Sequence, residues 1–180
     1  MMEFKLKNYV KEGQKLPLFG VGPYLIYGIV FLNLIVVILT CYVYKVGIVE
    51  GFWIPAFRVS GAAIIVLGIV VWFIGAVRSG MDESITENKL KTEGIYAWVR
   101  NPMYTGCWFI TVGVSFMWHN VLLIPMIFVD WVILTIVLKN TEEKWLLDLY
   151  GEEYAAYQKR VNRCIPRIPR SVREKHKKGV

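Results

Sequence analysis

The sequence predicts an all-α integral membrane protein: a helical bundle of about four transmembrane spans, with a closely connected third/fourth helical hairpin and a cytoplasmic C-terminal helical segment. Of the 180 residues, 56% are hydrophobic and the mean hydropathy is +0.45. Only 19% are charged, whereas about 25% is usual in soluble domains. The apolar residues also cluster in runs of membrane-spanning length. Residues 1–180 are therefore expected to form a single membrane domain.

The first two apolar runs are long enough to cross a bilayer. Residues 24–44 make a run of 21 residues with tyrosines at both ends, as expected at the two membrane interfaces. As a helix this run would extend about 31 Å. The second run, 52–77, is interrupted by a single charge, Arg58. Residues 1–19 are polar and are predicted to form an N-terminal tail.

The third and fourth runs are shorter and almost continuous. They cover residues 103–118 and 121–138, and only His119 and Asn120 separate them. As helices they would extend about 24 and 27 Å, slightly less than a bilayer core of about 30 Å. This hairpin nevertheless returns the chain to the side from which it started. The segments 78–102 and 139–180 on that side are polar.

The basic residues predict the orientation. Of the 21 Lys and Arg residues, the N-terminal tail carries 4, the 78–101 segment carries 4 and the part after residue 138 carries 11. Positive charge favours the cytoplasmic side of a membrane protein. Both termini and the middle loop are therefore predicted to be cytoplasmic.

Composition also excludes several classes of protein. The apolar content excludes a disordered chain and a nucleic-acid-binding tail protein. The three cysteines, Cys41, Cys107 and Cys164, are far apart and odd in number, so they do not form a disulfide framework. We expect them to be free thiols.

Two charges lie inside predicted spans. Arg58 is 6 residues from the outer end of the second span and Asp130 is 9 residues into the fourth, which are depths of about 9 and 13.5 Å. Opposite signs at similar depth predict an interhelical ion pair. A position on a substrate path is the alternative for Asp130, because ionisable groups in membranes are commonly functional.

Two polar segments flank the hairpin and carry the residues best suited to chemistry. The entering segment reads Gly-Ile-Tyr-Ala-Trp-Val-Arg-Asn-Pro-Met-Tyr-Thr-Gly over 94–106. The leaving segment has Thr-Glu-Glu at 141–143 and Leu-Tyr-Gly-Glu-Glu-Tyr-Ala-Ala-Tyr at 149–157, followed by Val161, Arg163 and Pro166. Because a hairpin returns to its starting side, both segments should meet at one cytoplasmic interface. There a soluble molecule can meet a membrane-borne one.

These segments resemble the isoprenylcysteine carboxyl methyltransferase and phospholipid methyltransferase superfamily of integral membrane enzymes. That pattern is G-x-Y-x-x-x-R-H-P-x-Y-x-G, a hydrophobic hairpin, E-E, and then F/Y-G-x-E-Y-x-x-Y-x-x-x-V-x-R-x-x-P. The similarity covers roughly residues 86–170. It departs from the pattern at Asn101, which stands where the family has His.

The resemblance implies an S-adenosylmethionine-dependent methyltransferase whose cytoplasmic segments, 78–102 and 139–180, bind the cofactor. It implies Arg100 and Glu143 as catalytic residues. The implied cofactor-binding residues are Gly94, Tyr96, Asn101, Pro102, Tyr104, Gly106, Glu142 and Glu143. The implied acceptor is a lipid-like or prenylated amphiphile that enters from the bilayer, and carboxyl methylation of an isoprenylcysteine-like substrate is favoured. Membrane lipids are the expected surroundings, and neither nucleic acid nor a metal is expected.

The chemistry of these side chains suits those roles. Arg100 can hold a carboxylate with two parallel hydrogen bonds. Either Glu142 or Glu143 can accept from an ammonium group, but neighbours on a helix point about 100° apart, so the two should not face one pocket. Asn101 can donate an N–H where the family has imidazole. We expect Gly94 and Gly106 to let the backbone approach the cofactor closely. We expect Tyr96 and Tyr104 to line the mouth of the pocket.

Plainer roles remain open for several residues. Arg100 can extend to the headgroups without binding a ligand, and Glu143 can pair with Lys139 one helical turn earlier. Tyr154 and Tyr157 are predicted to pack the C-terminal helix onto the hairpin. Binding of anionic headgroups is predicted for the basic residues Arg163, Arg167 and Arg170.

Three other functions compete with carboxyl methylation. A phospholipid N-methyltransferase is the first, and a non-catalytic membrane protein is another. NADPH-dependent membrane sterol-type reductases look similar around the hairpin, with a P-N-Y-x-G-E segment. Met103 and Cys107 stand where those reductases have Asn and Glu, which disfavours that function.

Overall fold

The computed structural model describes residues 21–78 and 90–168. The predicted N-terminal tail, residues 79–89 and residues 169–180 with Arg170 lie outside the described residues. Five α-helices make up most of the described parts: α1 (Gly22–Val37), α2 (Trp53–Phe73), α3 (Pro102–Met117), α4 (Met126–Asn140) and α5 (Glu142–Arg160). No β-strand occurs among these residues, which confirms the all-α class.

Short segments of other helical types adjoin the α-helices. α1 and α2 continue as π-helical turns over Ile38–Val43 and Ile74–Arg78. 3₁₀ turns precede α3 and α4, at Gly94–Ala97 and Val121–Leu123. Proline occupies the first turn of both α1 and α3, where its fixed φ suits a helix start and no N–H is needed.

Three of the helical segments are long and apolar enough to cross a membrane: Gly22–Val43, Trp53–Val77 and Val121–Asn140. They correspond to the predicted spans 24–44, 52–77 and 121–138. Most of the surface that α1 and α2 expose is apolar, as expected of helices surrounded by lipid. The protein is therefore an integral membrane protein.

The third predicted span, 103–118, is the 16-residue helix α3. It extends about 24 Å, which is less than the thickness of a bilayer core. The prediction of four full spans is therefore not confirmed. α3 is instead the most enclosed helix of the bundle, with eight buried residues among its 16.

α2 and α3 run antiparallel in close contact because glycines remove the side chains between them. A Cβ atom at Gly68 would lie 2.7 Å from the carbonyl oxygen of Gly106, and one at Gly113 would lie 2.7 Å from that of Gly61. These contacts are too close for any side chain. Small residues of this kind allow the backbones of membrane helices to approach each other.

The ends of the bundle far from the candidate site are joined through Asn120. Its Nδ2 donates to the carbonyl oxygen of Val46 at 2.8 Å, and its Oδ1 accepts from the N–H of Leu122 at 2.9 Å. The turn residue His119 has φ +39°. These bonds tie the α1–α2 connection to the α3–α4 turn and so align the two helical pairs.

The predicted ion pair between Arg58 and Asp130 is wrong. Asp130 is only 1% exposed, and its two carboxylate oxygens accept from Asn33 Nδ2 at 2.9 and 3.0 Å. Arg58 is exposed. Depth in the membrane is readable from sequence, but the direction in which each helix presents a side chain depends on packing. Asn33 of α1 therefore partners Asp130 of α4.

α5 follows α4 after a single residue, Thr141, and carries the chain across the end of the bundle. Gly151 inside α5 has φ 51° and ψ −125°, a conformation that glycine adopts far more readily than other residues. It bends the helix between Tyr150 and Tyr154. Beyond α5, residues 161–167 form a non-helical segment, called the strap below, that is hydrogen-bonded to the start of α3 and the residues just before it.

Candidate active site

Three charged side chains, two of them buried and the third, Arg163, 19% exposed, form a cluster where α3, α5 and the strap meet. Arg100 Nη2 lies 2.7 Å from Glu143 Oε1. Arg163 binds the same carboxylate at both oxygens, with Nε to Oε1 and Nη2 to Oε2 each at 2.7 Å. Glu143 is 2% exposed and the side chain of Arg100 is 8% exposed. We call Arg100, Glu143 and Arg163 the ionic cluster.

The local fold holds Arg100 at the C-terminal end of α5. Its Nη1 donates to the carbonyl oxygens of Gln158 and Val161, both at 2.9 Å. Carbonyls at a helix C-terminus lack intrahelical partners and attract cations. Arg100 Nε is buried and has no hydrogen-bond partner among the described residues. One donor of this guanidinium is thus left unused.

The two arginines keep Glu143 ionised. Burial alone would raise the pKa of its carboxyl group, but hydrogen bonds and charge from Arg163 and Arg100 outweigh burial and lower the pKa below its ordinary value. The hydrogen bond to Glu143 in turn raises the pKa of Arg163. Two positive charges and one negative charge therefore coexist here at neutral pH.

The strap is hydrogen-bonded to the entry of α3, which places Arg163 beside Arg100. The N–H groups of Arg100 and Asn101 donate to the carbonyl oxygens of Asn162 and Arg163 at 2.9 and 3.1 Å. Thr105 Oγ1 donates to the carbonyl oxygen of Cys164 at 2.9 Å. These bonds join residues about sixty positions apart in the chain, and they fix the cluster geometry.

A cavity of about 130 Å³ adjoins the cluster. It has Arg100, Asn101, Pro102 and Glu142 in its wall, and we call it the tyrosine cavity because of the five tyrosines that line it: Tyr96, Tyr104, Tyr150, Tyr154 and Tyr157. Tyr157 donates its hydroxyl to the carbonyl oxygen of Tyr96 at 2.6 Å. The bend at Gly151 lets tyrosines on both halves of α5 contribute to one wall.

Glu142 is the acidic residue of the tyrosine cavity. Its Oε1 accepts a hydrogen bond from the hydroxyl of Tyr104. Burial raises the pKa of Glu142 above its ordinary value, more than the hydrogen bonds from Tyr104 and the Val21 backbone lower it. The two adjacent glutamates thus have different surroundings, since Glu142 faces tyrosine and Glu143 faces arginine. This agrees with the expectation that they do not share a pocket.

Most of the candidate residues lie at this one place. Tyr96, Arg100, Asn101, Pro102, Tyr104 and Glu142 all line the tyrosine cavity. Glu143 is in the ionic cluster, bound to Arg100. The alternative pairing of Glu143 with Lys139 does not form, because its carboxylate binds the two arginines.

Two candidate glycines lie elsewhere. A Cβ at Gly106 would lie 2.7 Å from the backbone of Gly68 and Trp72. Gly106 therefore allows α2, and not a cofactor, to approach α3 closely. Gly94 has φ +61° at the start of its 3₁₀ turn, with open space around it, and it is not among the residues that line the cavity.

Arg163 differs from its predicted role. The sequence predicts that it binds headgroups together with Arg167, but its guanidinium is bound to Glu143. The V-x-R-x-x-P spacing was the available signal for a site role. Tyr154 and Tyr157 are buried and pack with Leu90, Leu146 and Tyr150, and in addition they line the cavity.

The fold and this site define a class: an integral membrane helical protein with a buried ionic site where the hairpin ends meet the C-terminal helix. The sequence model of the phospholipid methyltransferase family matches residues 52–153, more than half of the chain. The chain belongs to this family.

Curated relatives carry a methyltransferase name. The protein-S-isoprenylcysteine O-methyltransferase of Tribolium castaneum is 28% identical over 130 residues, which cover 68% of this chain and 45% of that protein. The enzymes of the same name from Schizosaccharomyces pombe and Homo sapiens are each 33% identical, over 46% and 48% of this chain and 35% and 31% of theirs. The chain thus spans less than half the length of these relatives. No solved structure gives a significant match.

Proposed function

We propose that this protein is an S-adenosylmethionine-dependent methyltransferase that methylates the carboxylate of an isoprenylcysteine-like amphiphile. The observation that carries the proposal is the ionic cluster beside a tyrosine-lined cavity, formed by the family motif residues. The names of the relatives support the same substrate class.

The tyrosine cavity suits the methyl donor chemically. S-adenosylmethionine supplies an activated methyl group on a positively charged sulfur. Aromatic faces attract such cations, and tyrosine rings also stack on bases. Glu142 and Asn101 can hold the polar groups of the donor. The volume of about 130 Å³ is below the roughly 300–1,000 Å³ of usual ligand pockets, so binding of the donor requires the walls to move apart.

The protein aids the reaction by positioning the reacting groups and by excluding water from them. Transfer forms a bond between the acceptor oxygen and the methyl carbon. The bond between that carbon and sulfur breaks, and the sulfur keeps its electron pair. A carboxylate is already ionised at neutral pH, so no base is needed. The buried residues of the cluster hold charged groups in line and exclude water.

Phospholipid N-methylation is the second candidate, because the matching family bears that name. An amine acceptor must lose a proton before it attacks. Glu142, which lines the tyrosine cavity and whose pKa burial raises above its ordinary value, is then the residue to receive it. The two functions differ in the acceptor of the methyl group, so identifying the acceptor distinguishes them.

The test is direct titration of the purified protein with S-adenosylmethionine, followed by transfer of labelled methyl groups to N-acetyl-S-farnesylcysteine or to phosphatidylethanolamine. Arg100→Ala and Glu143→Gln should each abolish or strongly weaken donor binding. The exposed residues Arg160 and Glu152 on α5 provide matched controls, and Arg160→Ala and Glu152→Gln should behave as the parent does. If the cluster variants bind the donor as well as the parent, the proposal is wrong.

A further inference from the structure

The start of α1 is bonded to the acidic residue of the tyrosine cavity. The backbone N–H of Val21, the residue that precedes α1, donates to the carboxylate of Glu142. The hydroxyl of Tyr104 donates to the same carboxylate, at Oε1. Glu142 and Tyr104 both line the tyrosine cavity. Groups from α1, α3 and α5 therefore meet at one carboxylate in the wall of this cavity.

The first residue of α1 is also in close contact with the ring of Tyr104. A Cβ atom at Gly22 would lie 2.5 Å from Tyr104 Oη and 3.2 Å from Cζ, so no side chain fits in this space. Tyr104 is buried, which restricts the positions that its ring can take. The place of the Tyr104 hydroxyl beside Glu142 thus depends on the absence of a side chain at Gly22.

The carboxylate of Glu142 compensates the N-terminus of α1. The first N–H groups of a helix lack intrahelical partners and carry a partial positive charge. α1 has no acidic residue in its first turn, and the side chain of Val21 makes no capping hydrogen bond. Glu142 supplies both the acceptor and the negative charge from another helix. The contact with α1 therefore favours the ionised form of Glu142.

These hydrogen bonds act against the effect of burial. Burial raises the pKa of Glu142, the bonds from Tyr104 and the Val21 N–H lower it, and the adjacent charge of Glu143 raises it. The wall of the cavity also contains the basic residues Lys91 and Arg100. Arg100 is paired with Glu143. The hydrogen bonds that favour an ionised Glu142 thus come from two uncharged groups, one of which belongs to α1.

We propose that the start of α1 is a working part of the donor site. In this inference the Val21 N–H and the Tyr104 hydroxyl hold the Glu142 carboxylate in the orientation in which it accepts the ammonium group of S-adenosylmethionine. Val21 and Gly22 act through Glu142, so they are positioning residues. The inference rests on the proposed function, because it concerns the same methyl donor. It goes beyond the family motifs, since the family model matches only residues 52–153 and α1 precedes them.

The test measures how S-adenosylmethionine binding to the purified protein depends on pH. Affinity of the parent should fall as Glu142 becomes protonated, because a neutral acid lacks the charge that strengthens its bond to an ammonium group. Val21→Pro removes the N–H, and the φ of Val21, −88°, is near the range of proline, which a helix start tolerates. This variant should bind the donor about tenfold more weakly near neutral pH. It should also lose half of its binding at a higher pH than the parent, because the ionised form has lost a hydrogen bond.

Val21→Ala is the matched control, because it keeps the backbone N–H and should bind as the parent does. A second pair of variants makes the same test through Tyr104. Gly22→Ala places a methyl group 2.5 Å from the Tyr104 hydroxyl, so the hydroxyl must shift and its bond to Glu142 weakens. The pH of half-binding should rise as in Val21→Pro. Gly28→Ala on the same helix meets open space and should change neither affinity nor pH profile.

The outcomes separate this inference from the proposed function. A loss of affinity by the same factor at every pH in Val21→Pro and Gly22→Ala is what altered packing alone would cause, and it would show the inference to be wrong. Unchanged binding in both variants, or a parent whose affinity does not fall with pH, would also overturn it. A parent that binds no S-adenosylmethionine at any pH would instead refute the proposed function, and the inference with it.

Discussion

At the scale of single residues, Glu143 has the most demanding environment, because its buried carboxylate is ion-paired with two arginines. Removing one partner of a buried ion pair leaves the remaining charge uncompensated, at a typical cost of about 3–5 kcal/mol. Glu143→Gln should therefore lower the free energy of unfolding in detergent by about that amount. The matched substitution of an exposed carboxylate, Glu152→Gln, should change the free energy of unfolding little.

The same carboxylate predicts a pH dependence. The pKa of Glu143 is lowered in the folded protein from an ordinary value of 4.5. Its contribution to stability is thus present above pH 4.5 and is lost as the pH falls through the lower pKa of the folded state. Thermal unfolding of the parent should show this acid loss, and Glu143→Gln should show less of it. An identical acid profile in both would contradict this assignment.

Asn101 is the one motif position that departs from the family. Its Nδ2 donates to the carbonyl oxygen of Arg163 at 3.3 Å, which uses one of the two N–H groups of the amide. If the other N–H binds S-adenosylmethionine, Asn101→Ala should weaken donor binding by about 1–3 kcal/mol. Asn101→His should roughly preserve it. Titration of the donor against both variants decides this, and unchanged binding in Asn101→Ala would exclude the contact.

At the scale of elements, the antiparallel contact of α2 with α3 depends on glycine. A Cβ added to Gly106 would lie 2.7 Å from backbone atoms of α2, so Gly106→Ala must push the helices apart. We expect a loss of about 1–3 kcal/mol in unfolding free energy, as for other overpacked cores. Gly28 of α1 has open space around its Cβ position, and Gly28→Ala should be neutral or slightly stabilising.

The contact between α1 and α4 depends on the Asn33–Asp130 hydrogen bonds. Asn33→Ala should destabilise the protein in detergent, whereas Arg58→Gln should not, because Arg58 is exposed. A double-mutant cycle of Asn33→Ala with Asp130→Asn should give a coupling energy of about 0.5–3 kcal/mol. Additive losses at these two positions would contradict the Asn33–Asp130 contact, and coupling of Asp130 to Arg58 would restore the ion pair inferred from depth.

At the scale of the whole molecule, the orientation in the membrane is the prediction that the site depends on. Because 19 of the 21 basic residues fall in three segments, we expect both termini and the middle loop to be cytoplasmic. Reporter fusions after residues 19, 88 and 180 should give cytoplasmic signals, and a fusion after residue 48 an external one. An external signal at 88 or 180 would separate the site from the cytoplasmic methyl donor that the proposed function requires.

Much of the architecture could be predicted because run length and residue type carry the information. Three of the predicted spans recur as helices with nearly the same ends, since bilayer thickness sets how long an apolar helix must be. The sequence does not show that α3 differs from a transmembrane span. Its residues are as apolar as those of the spans, but its length and its glycine contacts are those of a helix packed within the bundle.

The sequence by itself determined the all-α membrane class, the two segments that carry the candidate site residues, and the approach of these segments to each other, because a helical hairpin returns its ends to one side. Only the tertiary structure decided how the side chains pair. Arg100 and Glu143 are 43 residues apart, and Asn33 and Asp130 are 97 apart, so neither pair has a local signal. Which charges meet depends on the rotation of each helix about its axis. Close packing of glycines, tyrosines and the strap sets that rotation.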